Sequence, residues 1–135
     1  MIKATRNQLG NVTNQFQTKA KKILAVCSAG LLRSPTTANI LHKEFGFNTR
    51  ACGSCKDFAL IPISEALIVW ADEIVFVNWD NFDDLDFQEK ETILNYDKTF
   101  SILSIPDEHS WGEPELEKVI IEQFNRRVKH QGEIL

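Results

Sequence analysis

Two four-residue runs, Ile23–Val26 and Ile74–Val77, are apolar at every position, with no polar residue alternating among them. A strand of that kind has no face to turn to water. It belongs in a sheet covered on both sides, and such sheets are parallel, with helices packed on each face. The rest of the chain supplies those helices. Ser34-Pro35 opens a helical pattern that runs to Phe45 and stops at Gly46, with the proline in the first turn where its missing N–H costs nothing. Asn48–Ala51 reads as a short second strand ending at Gly53, and Ile63–Ala71 as a helix leading into the strand Glu73–Asn78. Asp80–Asn95 reads as one charged, half-buried helix and Phe100–Leu103 as the last strand. In the final helix Leu116, Val119, Ile120, Phe124 and Val128 recur at helical spacing. Acids at Glu113, Glu115 and Glu117 and bases at Arg126, Arg127, Lys129 and His130 suit the two ends of its macrodipole. The expectation is an α/β three-layer sandwich: a four-stranded parallel sheet with helices on both faces.

A chain of 135 residues is one domain's worth, enough to bury a core without staples. Residues 1–21 read as a polar, basic N-terminal extension and 22–135 as the α/β domain. The formal charge of −4 hides an asymmetry, because Lys3, Arg6, Lys19, Lys21 and Lys22 face no acid before residue 23. The remainder carries 10 basic against 19 acidic side chains, which argues against nucleic acid as a partner. No apolar run exceeds six residues, so no membrane span is expected, and the polar start is not a secretory signal. The expected location is cytoplasmic. Three cysteines make no disulfide framework, and an odd count leaves at least one thiol for chemistry.

That chemistry points to the segment Cys27-Ser-Ala-Gly-Leu-Leu-Arg33-Ser34, which joins the first strand to the first helix. In doubly wound sheets ligands sit beyond the carboxyl ends of the strands, and this loop leaves the first strand there. Backbone N–H groups before a helix lack intrahelical acceptors, so those of Ser28, Ala29, Gly30, Leu31 and Leu32 can converge on an anion, helped by the helix dipole. Gly30 lets the loop bend. Arg33 can close a two-pronged fork over an oxyanion, which lysine could not reproduce. The same field favours the thiolate of Cys27, making it a nucleophile aimed at phosphorus, and the Ser34 hydroxyl can donate to the sulfur.

The cysteine-x5-arginine-serine loop near the start of the chain resembles that of the low-molecular-weight protein tyrosine phosphatase family. Short bacterial and phage members look closer still, on CSAG at Cys27–Gly30, RSPT at Arg33–Thr36, WAD at Trp70–Asp72 and IPD at Ile105–Asp107. The resemblance covers about residues 22–128. It implies a phosphatase-like sandwich and hydrolysis of phosphotyrosine proteins or small aryl phosphates, without metal or other cofactor. Cys27 would be the nucleophile, the amides of Ser28 to Arg33 with the Arg33 side chain would hold the phosphoryl oxygens, and a cysteinyl-phosphate would form and be hydrolysed. The general acid implied by the family falls on Asp107, with Asp80, after the third strand, as the alternative. Larger members carry Asp-Pro where this chain has Pro106-Asp107, and Ala29-Gly30 replaces the family's common asparagine in the loop.

Other readings compete. Arsenate reduction on the same fold would use three thiols and an oxyanion loop, although the family's shuttle cysteines lie further downstream than Cys52 and Cys55. Cysteine phosphocarriers of sugar transport begin with a strand and a CSAG-like loop but typically show Ser or Thr where this chain has Arg33. A phosphopeptide binder without turnover is the remaining alternative. Cys52-Gly-Ser-Cys55 lacks a second ligand pair for zinc. Its position after the second strand would bring one of its thiols near Cys27, where a reversible disulfide would shield the nucleophile from over-oxidation. Asp80, Asp83, Asp84 and Asp86 lack a calcium-loop pattern and read as solvated helix acids. His109 reads as an exposed loop histidine. Trp111, Leu31 and Leu32 could wall an aryl ring, and Asn7–Phe16 could strap the active-site edge.

Overall fold

The computed structural model describes residues 21–28, 33–55, 59, 61–105 and 114–131; the polar extension lies outside them, Lys21 apart. Strand β1 (Lys22–Cys27) is buried at every position after Lys22, as its unbroken apolar composition requires. It pairs in parallel with β2 (Asn48–Gly53) on one side and β3 (Glu73–Phe76) on the other. β3 in turn pairs in parallel with β4 (Thr99–Ile102), and a two-residue β5 (His130–Gln131) adds antiparallel to β4, giving the order β2-β1-β3-β4-β5.

Five described helices cover this sheet: α1 (Arg33–Phe45), α2 (Glu65–Trp70), α3 (Trp79–Asp83), α4 (Phe87–Asn95) and α5 (Pro114–Asn125). Successive strand residues feed opposite cores. Ile23, Cys27 and Val75 pack with Ile40 and Leu41 of α1 and with Leu116, Ile120 and Phe124 of α5. Leu24, Val26, Ile74 and Phe76 pack with Ile68 of α2, Phe82 of α3 and Ile93 of α4. Ala25, Ala38 and Ala51 form a seam of small residues between α1, β1 and β2. The molecule is thus the α/β three-layer sandwich that the apolar runs called for, with four parallel strands and one short antiparallel addition.

Several boundaries follow from local chemistry. The α1 helix ends where Gly46 takes φ 74°, a left-handed conformation open to glycine, and donates its N–H to the His42 carbonyl at 2.9 Å. Where the sequence suggests one helix over Asp80–Asn95, the structure has two, because each has its own N-cap. Asn78 caps α3 with Asn81 answering in the capping box, and Asp86 caps α4 with Glu89 answering. Buried Leu85 plugs the junction. The last helix stops at Asn125, short of Val128, which is exposed. The N–H groups of Arg126 and Arg127 turn back to the Gln123 and Phe124 carbonyls, and the chain swings into β5.

The reason for that swing is Glu73, a fully buried carboxylate at the amino end of β3. Arg127 donates to it from Nε at 2.7 Å and Nη2 at 3.3 Å, and Lys21 from Nζ at 2.7 Å. Arg127 also donates Nη1 to the Phe124 carbonyl at 2.8 Å, capping α5, so one guanidinium ties the helix end to the sheet. Burial pushes the Glu73 carboxyl up, and the hydrogen bonds from Arg127 and Lys21 more than reverse this, leaving it below its ordinary value. A group depressed in this way stabilises the fold above the unfolded carboxyl value of about 4.3, and the contribution is lost as pH falls through the lower folded value. Glu73→Gln should therefore cost about 3 kcal/mol at neutral pH, the usual result of breaking an ion pair at its buried member. Urea melts of the variant should also change less than the parent's between about pH 5 and pH 3; equal stability of the two at neutral pH would show that the network holds nothing together.

Candidate active site

The connections from β1 place its carboxyl end at a switch point. From β1 the chain passes through α1 to β2, then crosses back to β3 on the opposite flank, with α1 and α2 on different faces. At such a point neighbouring connections diverge and leave a crevice. Cys27 is the last residue of β1 and is 3% exposed. Its surroundings are fixed by both neighbouring strands. Val77 N–H donates to the Val26 carbonyl at 2.9 Å from the β3 side. Ser54 and Cys55 donate to the carbonyls of Cys27 and Ser28 at 2.7 and 2.9 Å from the β2 side.

Arg33, six positions after Cys27, is the first residue of α1, so strand end, intervening segment and helix start follow one another along the chain. Ser34 follows it in the first turn; the side chains of both lie outside the described part. Ala29, Gly30, Leu31 and Leu32 lie outside the described residues, as do Asp107, His109, Trp111 and the Asn7–Phe16 segment. The arm leading to Asp107 is described up to Ile105. Leu103 N–H donates to the Phe76 carbonyl at 2.8 Å and Ile105 N–H to the Val77 carbonyl at 3.0 Å. These bonds continue the β4–β3 pairing to the carboxyl edge, where Ile105 is fully buried. Asp80 is exposed in α3, which starts from the same edge after β3.

Behind the start of the loop sits a polar chain that the sequence reading did not single out. Asn81 of α3, fully buried, donates from Nδ2 to Ser28 Oγ at 3.1 Å and to Ser54 Oγ at 3.3 Å. Ser54 Oγ donates to Asp84 Oδ2 at 2.9 Å. The available signal was the Asn78-x-x-Asn81 spacing of a capping box immediately after an apolar strand. Two of the acids expected to be merely solvated are engaged: Asp84 accepts from Ser54, and Asp86 caps α4. Among the described residues no cluster of acids, histidines or cysteines could hold a metal ion.

The two cysteines of the CxxC segment separate. Cys52 is fully buried in the core opposite to that of Cys27, whereas Cys55 is half-buried and bonded through its N–H to Ser28. All three cysteines are thiols. Burial, then the nearby Cys27 and Glu89, pushes the Cys52 thiol well above its ordinary value. A groove of about 310 Å³ lies further along the sheet, lined by Trp79, Leu103, Ser104, Gln123 and Arg126 among others. There Gln123 imitates a partner strand, accepting from Ser104 N–H at 2.6 Å and donating to its carbonyl at 2.8 Å.

The chain matches no protein-family model, no curated protein and no solved structure. Among the described residues, no helix is long and apolar enough to cross a membrane. The different settings of the thiols lead to a direct expectation. In the folded protein iodoacetamide should label Cys55 and leave Cys52 unlabelled until denaturant is added, as peptide mass mapping would read. Labelling of Cys52 at the rate of Cys55 would contradict the burial described here.

Proposed function

We propose that the protein is a cysteine-dependent phosphatase acting on phosphotyrosine or a similar aryl phosphate monoester, in the manner of the low-molecular-weight protein tyrosine phosphatases. The observation that carries this reading is the placement of Cys27 and Arg33 at the two ends of one short connection, strand end to helix start, at the switch point of the sheet. A dianion held there would meet the amides of Ser28, Ala29, Gly30, Leu31 and Leu32 and the positive end of the 13-residue α1 helix. The Arg33 guanidinium would grip two of its oxygens.

In this mechanism the Cys27 thiolate attacks phosphorus and the aryl oxygen leaves as Asp107 gives it a proton. Asp107 then takes a proton from water as the oxygen of that water attacks the cysteinyl-phosphate, releasing inorganic phosphate and restoring the thiolate. Support for Asp107 comes from the β3–β4 ladder, which delivers Ile105, two residues earlier, to the carboxyl edge. Ser34, one residue into α1, is suited to stabilise the departing thiolate. A cytoplasmic setting, which keeps thiols reduced, fits a nucleophilic cysteine.

Hydrolysis of p-nitrophenyl phosphate with EDTA present, followed across the acidic and neutral range, tests the proposal. Cys27→Ser should abolish turnover. Asp107→Asn should lower kcat by roughly 10²–10⁴-fold, as loss of a general acid does, while Asp80→Asn leaves most of the activity. No turnover by the reduced parent chain would remove the phosphatase reading, and a large loss in Asp80→Asn alone would move the acid to α3.

A further inference from the structure

Glu73 is a single carboxylate with three cations in reach. Lys21 Nζ stands 2.7 Å from its Oε1, Arg127 Nε 2.7 Å from its Oε2, and Lys129 Nζ 3.9 Å from the same Oε1 that Lys21 binds. One positive charge is neutralised there and two are left over. Neighbouring cations repel, and the repulsion is relieved when one of them gives up its proton. The guanidinium of Arg127 does not deprotonate in a protein. Lys21 donates a direct hydrogen bond to Glu73 and is 33% exposed, whereas Lys129 lies beyond hydrogen-bond distance and is 49% exposed. Lys129 is therefore the member that yields. Among the described residues the charged groups acting on it are Lys21, before β1, Glu73 of β3 and Arg127, after α5. Repulsion from Lys21 is the largest influence; with Arg127 it outweighs the pull of Glu73 and holds the Lys129 ammonium below its ordinary value.

We propose that Lys129 is a nucleophilic amine and the preferred site on this chain for acylation by an acyl phosphate. An amine attacks only when neutral and reachable, and Lys129 is pressed toward the neutral form by its neighbours while half of its side chain meets solvent. The leftover positive charge selects the class of donor. An acyl phosphate carries its negative charge on the group that leaves, and the field of the cluster draws that charge to the amine. The Lys129 nitrogen attacks the carbonyl carbon, a C–N bond forms, the C–O bond to phosphate breaks, and inorganic phosphate departs as the nitrogen releases its proton to solvent. The amide removes the cation that Glu73 holds least closely. It leaves the Lys21 and Arg127 bonds that tie β1, β3 and the end of α5 together, so the fold tolerates the modification.

The test treats the full chain with limiting acetyl phosphate near neutral pH and reads the acetylation rate of each lysine by peptide mass mapping. Lys43 of α1 and Lys118 of α5, both exposed, serve as references. Lys129 should react about fivefold faster than either, the scale of one like-charge contact near the surface. Lys21→Met should bring Lys129 down to the reference rate, while Lys21→Arg, which keeps the cation, should keep the advantage. Melting temperatures are read alongside. Should Lys21→Met not fold, the parent chain in about 1 M sodium chloride decides, because salt screens the same repulsion between partly exposed groups. Acetylation of Lys129 at the rate of Lys43 and Lys118 in the parent chain overturns the proposal, as does an advantage that survives Lys21→Met or high salt, or one that is lost in Lys21→Arg. N-acetoxysuccinimide, an uncharged donor, should show a smaller preference for Lys129; a preference as large as that of acetyl phosphate would overturn the choice of an anionic donor.

Discussion

The structure depends on one requirement, that β1 be dry on both faces. Ile23 and Ala25 on one side and Leu24 and Val26 on the other leave no direction open to water. A helix must therefore lie on each face, and the strand must have neighbours on both edges, which it finds in β2 and β3. Since β2 follows β1 through α1 and β3 follows β2 by crossing back, the chain reverses its direction of travel at β1. Residues at the carboxyl end of that strand come to rest between the ends of β2 and β3, bonded through the backbone to both flanks. The position of Cys27 is thus a consequence of packing before it is a matter of chemistry.

The two ends of the sheet solve different electrostatic problems. At the amino end a buried carboxylate, Glu73, gathers Lys21 and Arg127 and so fixes β1, β3 and the exit from α5 to one another. At the carboxyl end the polar groups behind Cys27 are uncharged except for Asp84, and Asn81 and the two serines use their hydrogen bonds on each other.

How much of this was legible follows from how far apart the interacting residues lie. β1, α1 with its Gly46 stop, and the parallel sheet could be read because each signal sits within a few consecutive residues. Cys27 and Arg33, with their positions at strand end and helix start, were legible for the same reason. The break between α3 and α4 was written in two capping boxes but hidden by an acidic stretch that reads as one solvated helix. Two-residue β5 has no period to detect. Glu73 looked like the polar border of an apolar run, and its partners lie 52 and 54 positions away. Asn81 meets Ser28 across 53 positions, so the contact exists only when α3 is folded against the end of β1. The two cysteines of the CxxC segment looked equivalent as neighbours of Cys27, and strand alternation together with the bend after Gly53 set them apart.

The claim at the centre of this account is that Cys27 carries the phosphoryl group during turnover. The most direct measurement is rapid quenching of the chain during hydrolysis of an aryl phosphate, followed by mass mapping of its peptides under conditions that preserve thiophosphate esters. The account predicts the added mass of one phosphoryl group on the peptide containing Cys27, absent in Asp107→Asn only if attack rather than hydrolysis has become limiting, and absent always in Cys27→Ser. Turnover that proceeds with the Cys27 peptide unmodified, or that persists in Cys27→Ser, would contradict it.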